Sequence, residues 1–447
     1  MKHLIIVITV SLFTCPLMIS GQTGQTNMQS GWKAGVARAN ITPDESIWMA
    51  GFGFRNKPSE GVTTDIWASA LALEDANGHR AVIIAIDNAG IRKELSDAIR
   101  AKLKAAYNLL NEQVVINSSH THTGPATSAR FLKDEKEKAK VEQYAARLEN
   151  QVVEIVGKVL NSLQPVKVFA GNGVVRFQVN RRSNIQYKLH LQSQFNGPND
   201  YAVPVIKVEK ASGDLLAVLF GYACHASMLR DYKISGDYPA FARMELEKLY
   251  PGVIPVFFQG AGGNQIGHPR NTVEATKQAG KSLAAAVESV LSEPMKELTA
   301  SLATSYSEIN LESDQVSQIS GSNESVVQTY PYPVQVWKIG DLPVITLGGE
   351  PVVEYALNLK QIFGQESFIF GYSNNVMAYI STPLGLNEGG YEGSSSPFRG
   401  SKWAQNTEAM IIQEILKLAK QAGVPMAPKK IAITGRLNTK ITEESSR

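Results

Sequence analysis

A short apolar strand that ends in a histidine-rich polar segment sets the strongest limit on how this chain can fold. The segment covers residues 114–125, VVINSSHTHTGP, and contains two of the seven histidines, His120 and His122. Polar side chains at the carboxyl end of an apolar strand are typical of open α/β sheets, which gather their ligands at that edge. If the segment stays extended, residues two apart point to the same side, so both imidazoles would face one spot.

Three interpretations of this histidine pair are open from the residues alone. Both imidazoles bind a metal ion, or one binds it while the other transfers a proton, or both are hydrogen-bonded loop residues. A pair of histidines two residues apart is a short pattern that also arises by chance. Partners elsewhere in the chain must therefore decide between the three.

The pattern around the histidines predicts an α/β fold with mixed β-sheets flanked by helices. Residues 94–110 have helical spacing and lie between apolar strands at 81–86 and 114–116, which indicates a strand–helix–strand unit with parallel strands. Asn77-Gly78 predicts a two-residue type I′ turn before the first of these strands. The stretch between a helix predicted over 272–291 and a strand predicted over 342–347 has no regular pattern.

The first residues predict export from the cytoplasm. MKHLIIVITVSLFTCPLMISGQ has a charged Lys2, an apolar run over residues 4–13 and small residues near a cleavage point. This run is shorter than the roughly 20 apolar residues of a membrane span, so residues 1–21 are interpreted as a signal peptide. Attachment of a lipid at Cys15 is the alternative, which the bulky Phe13 disfavours. We expect a periplasmic or secreted protein with a flexible leader over 22–31 and a C-terminal tail over 426–447.

Composition narrows the expected partners. The net charge is +3, and the lysines and arginines are not clustered in the sequence, so nucleic acid is not expected as a partner. Hydrophobic residues at 43% and charged residues at 19% are typical of a globular protein, and a small-molecule or lipid substrate is expected instead. Loss of residues 1–21 would leave Cys224 as the single thiol, which excludes an internal disulfide.

A second apolar strand also ends in a histidine. LLAVLFGYA leads into His225, which repeats the arrangement seen at His120. A Gly-rich turn, GAGGN over residues 260–264, follows a further predicted strand and could offer backbone amides to an oxyanion. The turn lacks the Lys-Ser or Lys-Thr of a nucleotide-binding P-loop, so nucleotide binding of that kind is excluded.

The order of several motifs resembles one known family. The motifs are NSSHTHTGP (117–125), YACHASM (222–228), ISGD (234–237), LGGEP (347–351), YSNNVMAYIST (372–382) and YEGSSSP (391–397). Together they resemble the N-terminal catalytic domain of the neutral/alkaline, non-lysosomal ceramidases, from about residue 32 to residue 400. Members of that family are secreted or membrane-associated zinc amidohydrolases that cleave ceramide into a sphingoid base and a fatty acid. The resemblance implies one large catalytic domain, here over 32–425.

The resemblance also implies a set of site residues at the C-terminal edges of several strands. The zinc ligands would be His120, His225, Glu350 and Tyr379. By the same similarity, the catalytic residues would be His122 and Tyr391, which would bind the substrate carbonyl and assist proton transfer, and Arg181, which would lie in the pocket and orient a polar group of the substrate. Two imidazoles, a carboxylate and a further oxygen donor form a site that suits Zn²⁺. The expected reaction is hydrolysis of an N-acyl, ceramide-like amide bond by metal-activated water, with peripheral contact to a membrane.

One departure from the family keeps other functions open. The loop that matches GAGGNQIG carries an Asp and a Ser in the family, whereas Asn264 and Ile266 stand here, so no serine nucleophile is expected at this loop. The alternatives are an exported metal-dependent hydrolase of a carbohydrate or another small polar substrate, and a binding protein with a structural zinc.

Overall fold

The computed structural model describes residues 31–182, 197–318, 325–398 and 401–428. The predicted signal peptide, nearly all of the leader and the end of the predicted tail lie outside the described residues. The strands are β1 (Trp32–Asn40), β2 (Gly61–Val62), β3 (Trp67–Glu74), β4 (Arg80–Ile86), β5 (Val114–Ser118), β6 (Gln164–Val174), β7 (Gln178–Asn180), β8 (Ala202–Lys210), β9 (Leu215–Tyr222), β10 (Lys233–Ile234), β11 (Ile254–Gln259), β12 (Gln265–Gly267), β13 (Lys296–Glu297), β14 (Leu302–Gln318), β15 (Ser325–Ile339), β16 (Leu342–Leu347), β17 (Glu350–Pro351), β18 (Phe368–Phe370) and β19 (Tyr379–Ile380). The helices are α1 (Lys93–Tyr107), α2 (Glu135–Asn161), α3 (Asp237–Leu249), α4 (Val273–Ser292), α5 (Val353–Phe363), α6 (Pro383–Glu388), α7 (Gly390–Gly393) and α8 (Thr407–Gln421).

The larger sheet is mixed and has the order β11-β9-β8-β6-β1-β3-β4-β5, with β13 paired to β6. Strands β4 and β5 are parallel, as predicted for the unit that α1 connects. Strands β9 and β11 form a second parallel pair, which α3 connects. Both strands that precede the histidine segments therefore belong to this one sheet.

The smaller sheet has the order β14-β15-β16-β18 and packs face to face against the larger one. Alternate side chains of β4 show how the layers form: Val82 and Ile84 face a core with α1 and α2, whereas Ile83 faces the smaller sheet. Helices α3 and α4 cover another part of the larger sheet. Helices α5 and α8 cover the outer face of the smaller sheet. The predicted mixed α/β fold in a single domain is confirmed.

A buried asparagine joins the two sheets next to the histidine segment. The Nδ2 of Asn117, in β5, donates to the carbonyl of Gly371 at 2.7 Å and to the Ser373 hydroxyl at 3.1 Å. Its Oδ1 accepts from the backbone N–H of Gln259, at the end of β11, at 2.8 Å. Because all three contacts are buried, they fix the ends of β5, β11 and β18 relative to one another.

Two local predictions were wrong. Residues 75–79 connect β3 to β4 by a longer loop rather than a two-residue turn, since the Asp75 carboxylate accepts from the backbone N–H groups of Asn77 and His79. The stretch without a regular pattern contains the long hairpin of β14 and β15. Within the described ranges, no helix is long and apolar enough to cross a bilayer.

Candidate active site

The residues predicted to bind the metal come from the ends of strands in both sheets. His120 and His225 follow β5 and β9 of the larger sheet by two and three residues. Glu350 follows β16 of the smaller sheet and pairs with Tyr379 in the short parallel ladder of β17 and β19. The structure thus brings together four residues that are far apart in the sequence.

The two histidines of the first segment meet through a turn and not through an extended strand. His120 has a φ of 60°, in the left-handed region, so the backbone leaves the strand after Ser118. The rings of His120 and His122 nevertheless lie edge to face, with their Nε2 atoms 3.0 Å apart. The expectation that both imidazoles face one spot holds, although the predicted local conformation was wrong.

Backbone carbonyls fix the tautomers of His120 and His225. The Nδ1 of His120 lies 2.6 Å from the Ala89 carbonyl, and the Nδ1 of His225 lies 2.8 Å from the Gly262 carbonyl. A carbonyl can only accept, so each Nδ1 carries the proton and each Nε2 keeps a lone pair. Metal-binding histidines are oriented by this kind of contact.

These lone pairs converge with a carboxylate oxygen. The Oε2 of Glu350 lies 3.1 Å from the Nε2 of His120 and 3.3 Å from the Nε2 of His225. Nevertheless, no described residue makes a hydrogen bond of good geometry to this buried oxygen. Buried acceptors that face one another without a proton between them are costly unless a cation joins them. The donor set of imidazoles, carboxylate and phenol oxygen therefore fits a bound divalent metal.

The protonation states suit metal binding. Burial, and then the charge of nearby Arg181, lower the pKa of His225 to about 4. Burial alone would raise the pKa of Glu350, but His120 and His225 hold it well below its usual range. At neutral pH the imidazole is neutral and the carboxylate is ionised, which are the forms that coordinate a metal.

His122 differs from His120 and His225 in the hydrogen bonds that hold its ring. Its backbone N–H donates to the Ala226 carbonyl at 2.8 Å, which fixes the main chain, but its Nδ1 is buried without a hydrogen-bond partner among the described residues. Burial holds the pKa of His122 well below its usual range. Its Nε2 lies near enough to those of His120 and His225 for all three imidazoles to share one ion. Geometry alone therefore admits His122 both as a ligand and as a proton carrier.

Arg181 lies behind Tyr379 and is held by a buried acid. Its Nη2 donates to the Tyr379 hydroxyl and to the Gly263 carbonyl, both at 3.0 Å, and its Nε donates to Glu392 at 2.5 Å. The Tyr379 hydroxyl also lies 3.0 Å from the Nε2 of His225. A cavity lies next to the predicted metal-binding residues, and Arg181 does not line it. Arg181 therefore contacts Tyr379 rather than the open space.

A cavity of about 550 Å³ opens above the cluster. Its walls combine the polar cluster with apolar side chains and two arginines: Trp48, Met49, Ala50, Gly51, Phe52, Gly53, Arg55, Ala89, Gly90, Arg92, His120, His122, Ala126, Thr127, Ser128, Phe131, Leu132, Glu350, Val376, Met377, Tyr379 and Tyr391. Tyr391 is 68% exposed, and its ring lies 5.3 Å from that of Tyr379. A substrate in this cavity would contact His122 and Tyr391 together.

Sequence reasoning missed two residues that support the cluster. The Tyr372 ring lies 4.3 Å from the His120 ring, and Tyr372 has a φ of 49°. Glu392 is fully buried and binds both Arg181 and Arg182. Glu392 follows Tyr391 directly in the YEGSSS motif, but its burial beside two arginines has no signal in the sequence.

Asn264 and Ile266, at the end of the Gly-rich turn, have structural contacts. The Asn264 side chain accepts from the backbone N–H of Val353 and donates to Glu354, both at 2.9 Å. The backbone carbonyl of Asn264 accepts from the backbone N–H of Arg181 at 2.8 Å. Ile266 forms an isolated bridge with His225. This loop therefore supports the cluster through its backbone and through an amide side chain.

The fold and the site define an α/β protein with a buried histidine–carboxylate cluster at the floor of an open cavity. The N-terminal family model of the neutral/alkaline non-lysosomal ceramidases matches residues 32–260, about half of the chain, and the chain belongs to this family. Similarity to the neutral ceramidase of Pseudomonas aeruginosa is 23% identity over 270 residues, which cover 57% of this chain and 40% of that protein. The neutral ceramidase of Drosophila melanogaster is 23% identical over 236 residues, which cover 50% of this chain and 33% of that protein.

Solved structures share the fold over nearly the whole chain. A ceramidase complexed with C2 superposes with a TM-score of 0.73 and 19% identity, over 90% of this chain and 77% of that chain. The neutral ceramidase from Pseudomonas aeruginosa superposes with a TM-score of 0.71 and 18% identity, over 90% of this chain and 76% of that chain. The sequence matches, in contrast, span 40% or less of the curated relatives' own length.

Proposed function

We propose that this chain is an exported zinc-dependent amidohydrolase that cleaves an N-acyl, ceramide-like amide bond. The observation that carries the proposal is the convergence of two unprotonated Nε2 atoms on the buried Oε2 of Glu350. Family membership supports amide hydrolysis, and the cavity with its apolar wall supports a substrate that has an acyl chain. The proposed ligands of the zinc ion are His120, His225, Glu350 and Tyr379.

The division of labour between the histidines follows from their hydrogen bonds. His120 and His225 each donate an Nδ1 proton to a carbonyl, as histidine ligands usually do. His122 has no such partner for its Nδ1 among the described residues, so its ring is the one free to exchange a proton. We therefore assign proton transfer to His122 and metal binding to the other two.

The other residues act on the carbonyl and on the leaving group. When bound, zinc would polarise the amide carbonyl and lower the pKa of a water molecule to about 7. Tyr391, at the cavity wall, would donate a hydrogen bond to the oxygen that develops negative charge, and His122 would deliver a proton to the departing nitrogen. Arg181 would keep the Tyr379 hydroxyl in place through its 3.0 Å contact.

The proposal includes processing and domain limits. Cleavage after about residue 21 would release a mature chain whose hydrolase domain covers residues 32–425. Mass spectrometry of the native protein would check this, and a mature protein that retains Met1 would remove export from the proposal.

The experiment compares metal content and turnover in three variants of the purified protein. His120→Ala combined with His225→Ala should lose the zinc, because two coordinating imidazoles are removed. His122→Ala should keep its zinc and lose about 10²- to 10⁴-fold in kcat on an N-acyl amide, the usual contribution of a general acid or base. Ser227→Ala, two residues after His225 in the sequence, should keep both its zinc and its kcat.

Two outcomes would contradict the roles assigned to the histidines. Full zinc in the double variant would show that these histidines do not hold the metal. Loss of zinc from His122→Ala would make His122 a ligand and leave Tyr391 as the proton donor. Elemental analysis beside steady-state kinetics separates these results.

A further inference from the structure

Several arginines around the cavity have no carboxylate partner. Arg55 and Arg92 line the cavity, Arg130 lies near Arg92, and Arg230 lies over the ring of Phe52 in the cavity wall. None of these four forms an ion pair with any described residue. Other buried arginines do: Arg243 binds Asp87, for example. An excess of guanidinium groups around a cavity indicates that a ligand supplies negative charge.

Arg55 is committed to the protein itself. Its guanidinium donates to the carbonyls of Ala50, of His122 at 2.8 Å and of Asp231 at 3.0 Å. These bonds tie the loop that carries Phe52 to the histidine segment, so Arg55 builds the wall of the cavity. The group that recognises a ligand must be another arginine.

Arg92 lines the cavity and has a free guanidinium. The side chain makes no hydrogen bond to the part of the chain that the structure describes, and it is half-buried. Burial, and then repulsion from Arg130, lower the pKa of Arg92. Glu94 and Tyr330 oppose this effect from a distance without pairing with it.

The backbone holds Arg92 close to the metal cluster. Ala89, whose carbonyl accepts from His120, precedes Arg92 by three residues, which limits the distance between their Cα atoms to about 11 Å. The backbone N–H of Val376 donates to the Ile91 carbonyl at 2.8 Å and fixes this segment against the opposite wall. Arg92 is thus within reach of a group a few bonds away from an amide held at the cluster.

Arg130 lies near Arg92 and next to Phe131, which lines the cavity. Its guanidinium lies 4.5 Å from the centre of the Phe131 ring, and Phe131 is 77% exposed. Two neighbouring cations, one of them half-buried, repel each other unless an anion lies between them. The apolar residues Phe52 and Leu132 line other parts of the same cavity and are suited to an alkyl chain.

We propose that Arg92, assisted by Arg130, binds an anionic group of the substrate, and that the substrate is an N-acyl amino acid rather than a neutral ceramide. This inference rests on the proposed amidohydrolase function. In the reaction, the oxygen of water bonds to the amide carbonyl carbon, the C–N bond breaks, and the nitrogen leaves with a proton. The products are a fatty acid and an amino acid whose own carboxylate is unchanged and stays opposite Arg92 until release.

The test uses two amides that differ only in charge at one end. N-palmitoylglycine and N-palmitoylethanolamine have the same acyl chain and the same amide, but a carboxylate replaces a hydroxymethyl group in the first. The full-length, zinc-loaded protein should hydrolyse N-palmitoylglycine with a kcat/KM about 10- to 100-fold higher, the effect of one charge-assisted contact. C16 ceramide, which is neutral, should behave like the ethanolamide.

Variants separate recognition from folding. Arg92→Gln should raise KM for N-palmitoylglycine by about tenfold or more, and leave kcat and all constants for the ethanolamide near their original values. Arg130→Gln should shift KM in the same direction by less. The control is Arg176→Gln, because Arg176 also stacks on an aromatic ring, at 4.9 Å from Tyr201, but does not line the cavity.

Each contrary outcome has a separate meaning. Equal hydrolysis of both amides, with no selective effect of Arg92→Gln or Arg130→Gln, would overturn the inference and leave the amidohydrolase in place. Failure to hydrolyse any of the three amides, with zinc bound, would overturn the proposed function and this inference with it.

Discussion

At the scale of single residues, the second ring nitrogen distinguishes histidines that are otherwise alike. His120, His122 and His225 are all buried and all present Nε2 to one place. Two of them have Nδ1 fixed by a carbonyl, whereas the third does not. A fixed tautomer suits a ligand, and an unfixed one suits a group that must gain and lose a proton.

Gly51 decides where the His122 ring lies. Its φ is +94°, and a Cβ atom there would lie 2.6 Å from the Cα and 2.7 Å from the Cβ of His122. We expect Gly51→Ala to displace His122 and to lower kcat about 10²-fold, the effect of a shift of roughly 1 Å in a reacting group. Zinc content should be retained, since His225 and Glu350 are not displaced. Kinetics and elemental analysis of the same sample measure both.

The matched control lies two residues away. A Cβ atom on Gly53 would have no neighbour within 4 Å, so Gly53→Ala should keep full activity although it changes the same loop. Normal kcat in Gly51→Ala would show that the position of His122 does not limit turnover.

At the level of individual residues, the motifs identified residues that the structure brings close together. Five predicted site residues that the motifs contain line the cavity: His120, His122, Glu350, Tyr379 and Tyr391. His225, from a further motif, lies behind them in contact with Tyr379 and Glu350. Tyr372 lies in one of these motifs too, but its contact with His120 depends on a positive φ that no pattern indicates. The left-handed backbone conformation of His120 was also not predicted, because no sequence pattern indicates it.

At the scale of secondary structure, the pattern of apolar residues predicted both the strands buried on two faces and the helices buried on one. The β4-α1-β5 unit is an example, because burial on both faces of the strands gives continuous apolar runs that flank an amphipathic helix. The hairpin of β14 and β15 escaped detection because LATSYSEINLESDQVSQ has few apolar residues. Its pairing with β16 supplies the order that its own sequence does not indicate.

The contact between α3 and α4 depends on a residue without a side chain. A Cβ on Gly280, in α4, would lie 2.5 Å from the Phe241 Cβ and 2.8 Å from the Tyr238 carbonyl oxygen. Overpacking costs about 1–3 kcal/mol and the gain in helix propensity is about 1 kcal/mol. We therefore expect Gly280→Ala to lower the free energy of unfolding by up to about 2 kcal/mol, as measured by urea denaturation.

Gln278, which is exposed on the same helix, provides the comparison. Gln278→Ala should change the free energy of unfolding by no more than about 0.5 kcal/mol. A Gly280→Ala variant more stable than the original protein would mean that α3 and α4 can separate without loss.

At the scale of the whole molecule, the candidate site lies where the two sheets meet. His120 and His225 come from the larger sheet, and Glu350 from the strand ends of the smaller one. Asn117 joins the same two halves through Ser373, 256 residues away in the sequence. Such separations explain why the motif order suggested a site while the geometry of the site required the structure.

A metal bound at this place would therefore cross-link the sheets. Because the proposed ligands converge only in the folded chain, bound zinc should stabilise the native state, by about 2.7 kcal/mol when free zinc is 100 times its dissociation constant. We expect removal of zinc by a chelator to lower the Tm measured by calorimetry, and re-addition of zinc to restore it. In the variant with both His120→Ala and His225→Ala, chelator should leave the Tm unchanged. A chelator-dependent shift of equal size in this double variant would place the stabilising metal elsewhere in the molecule.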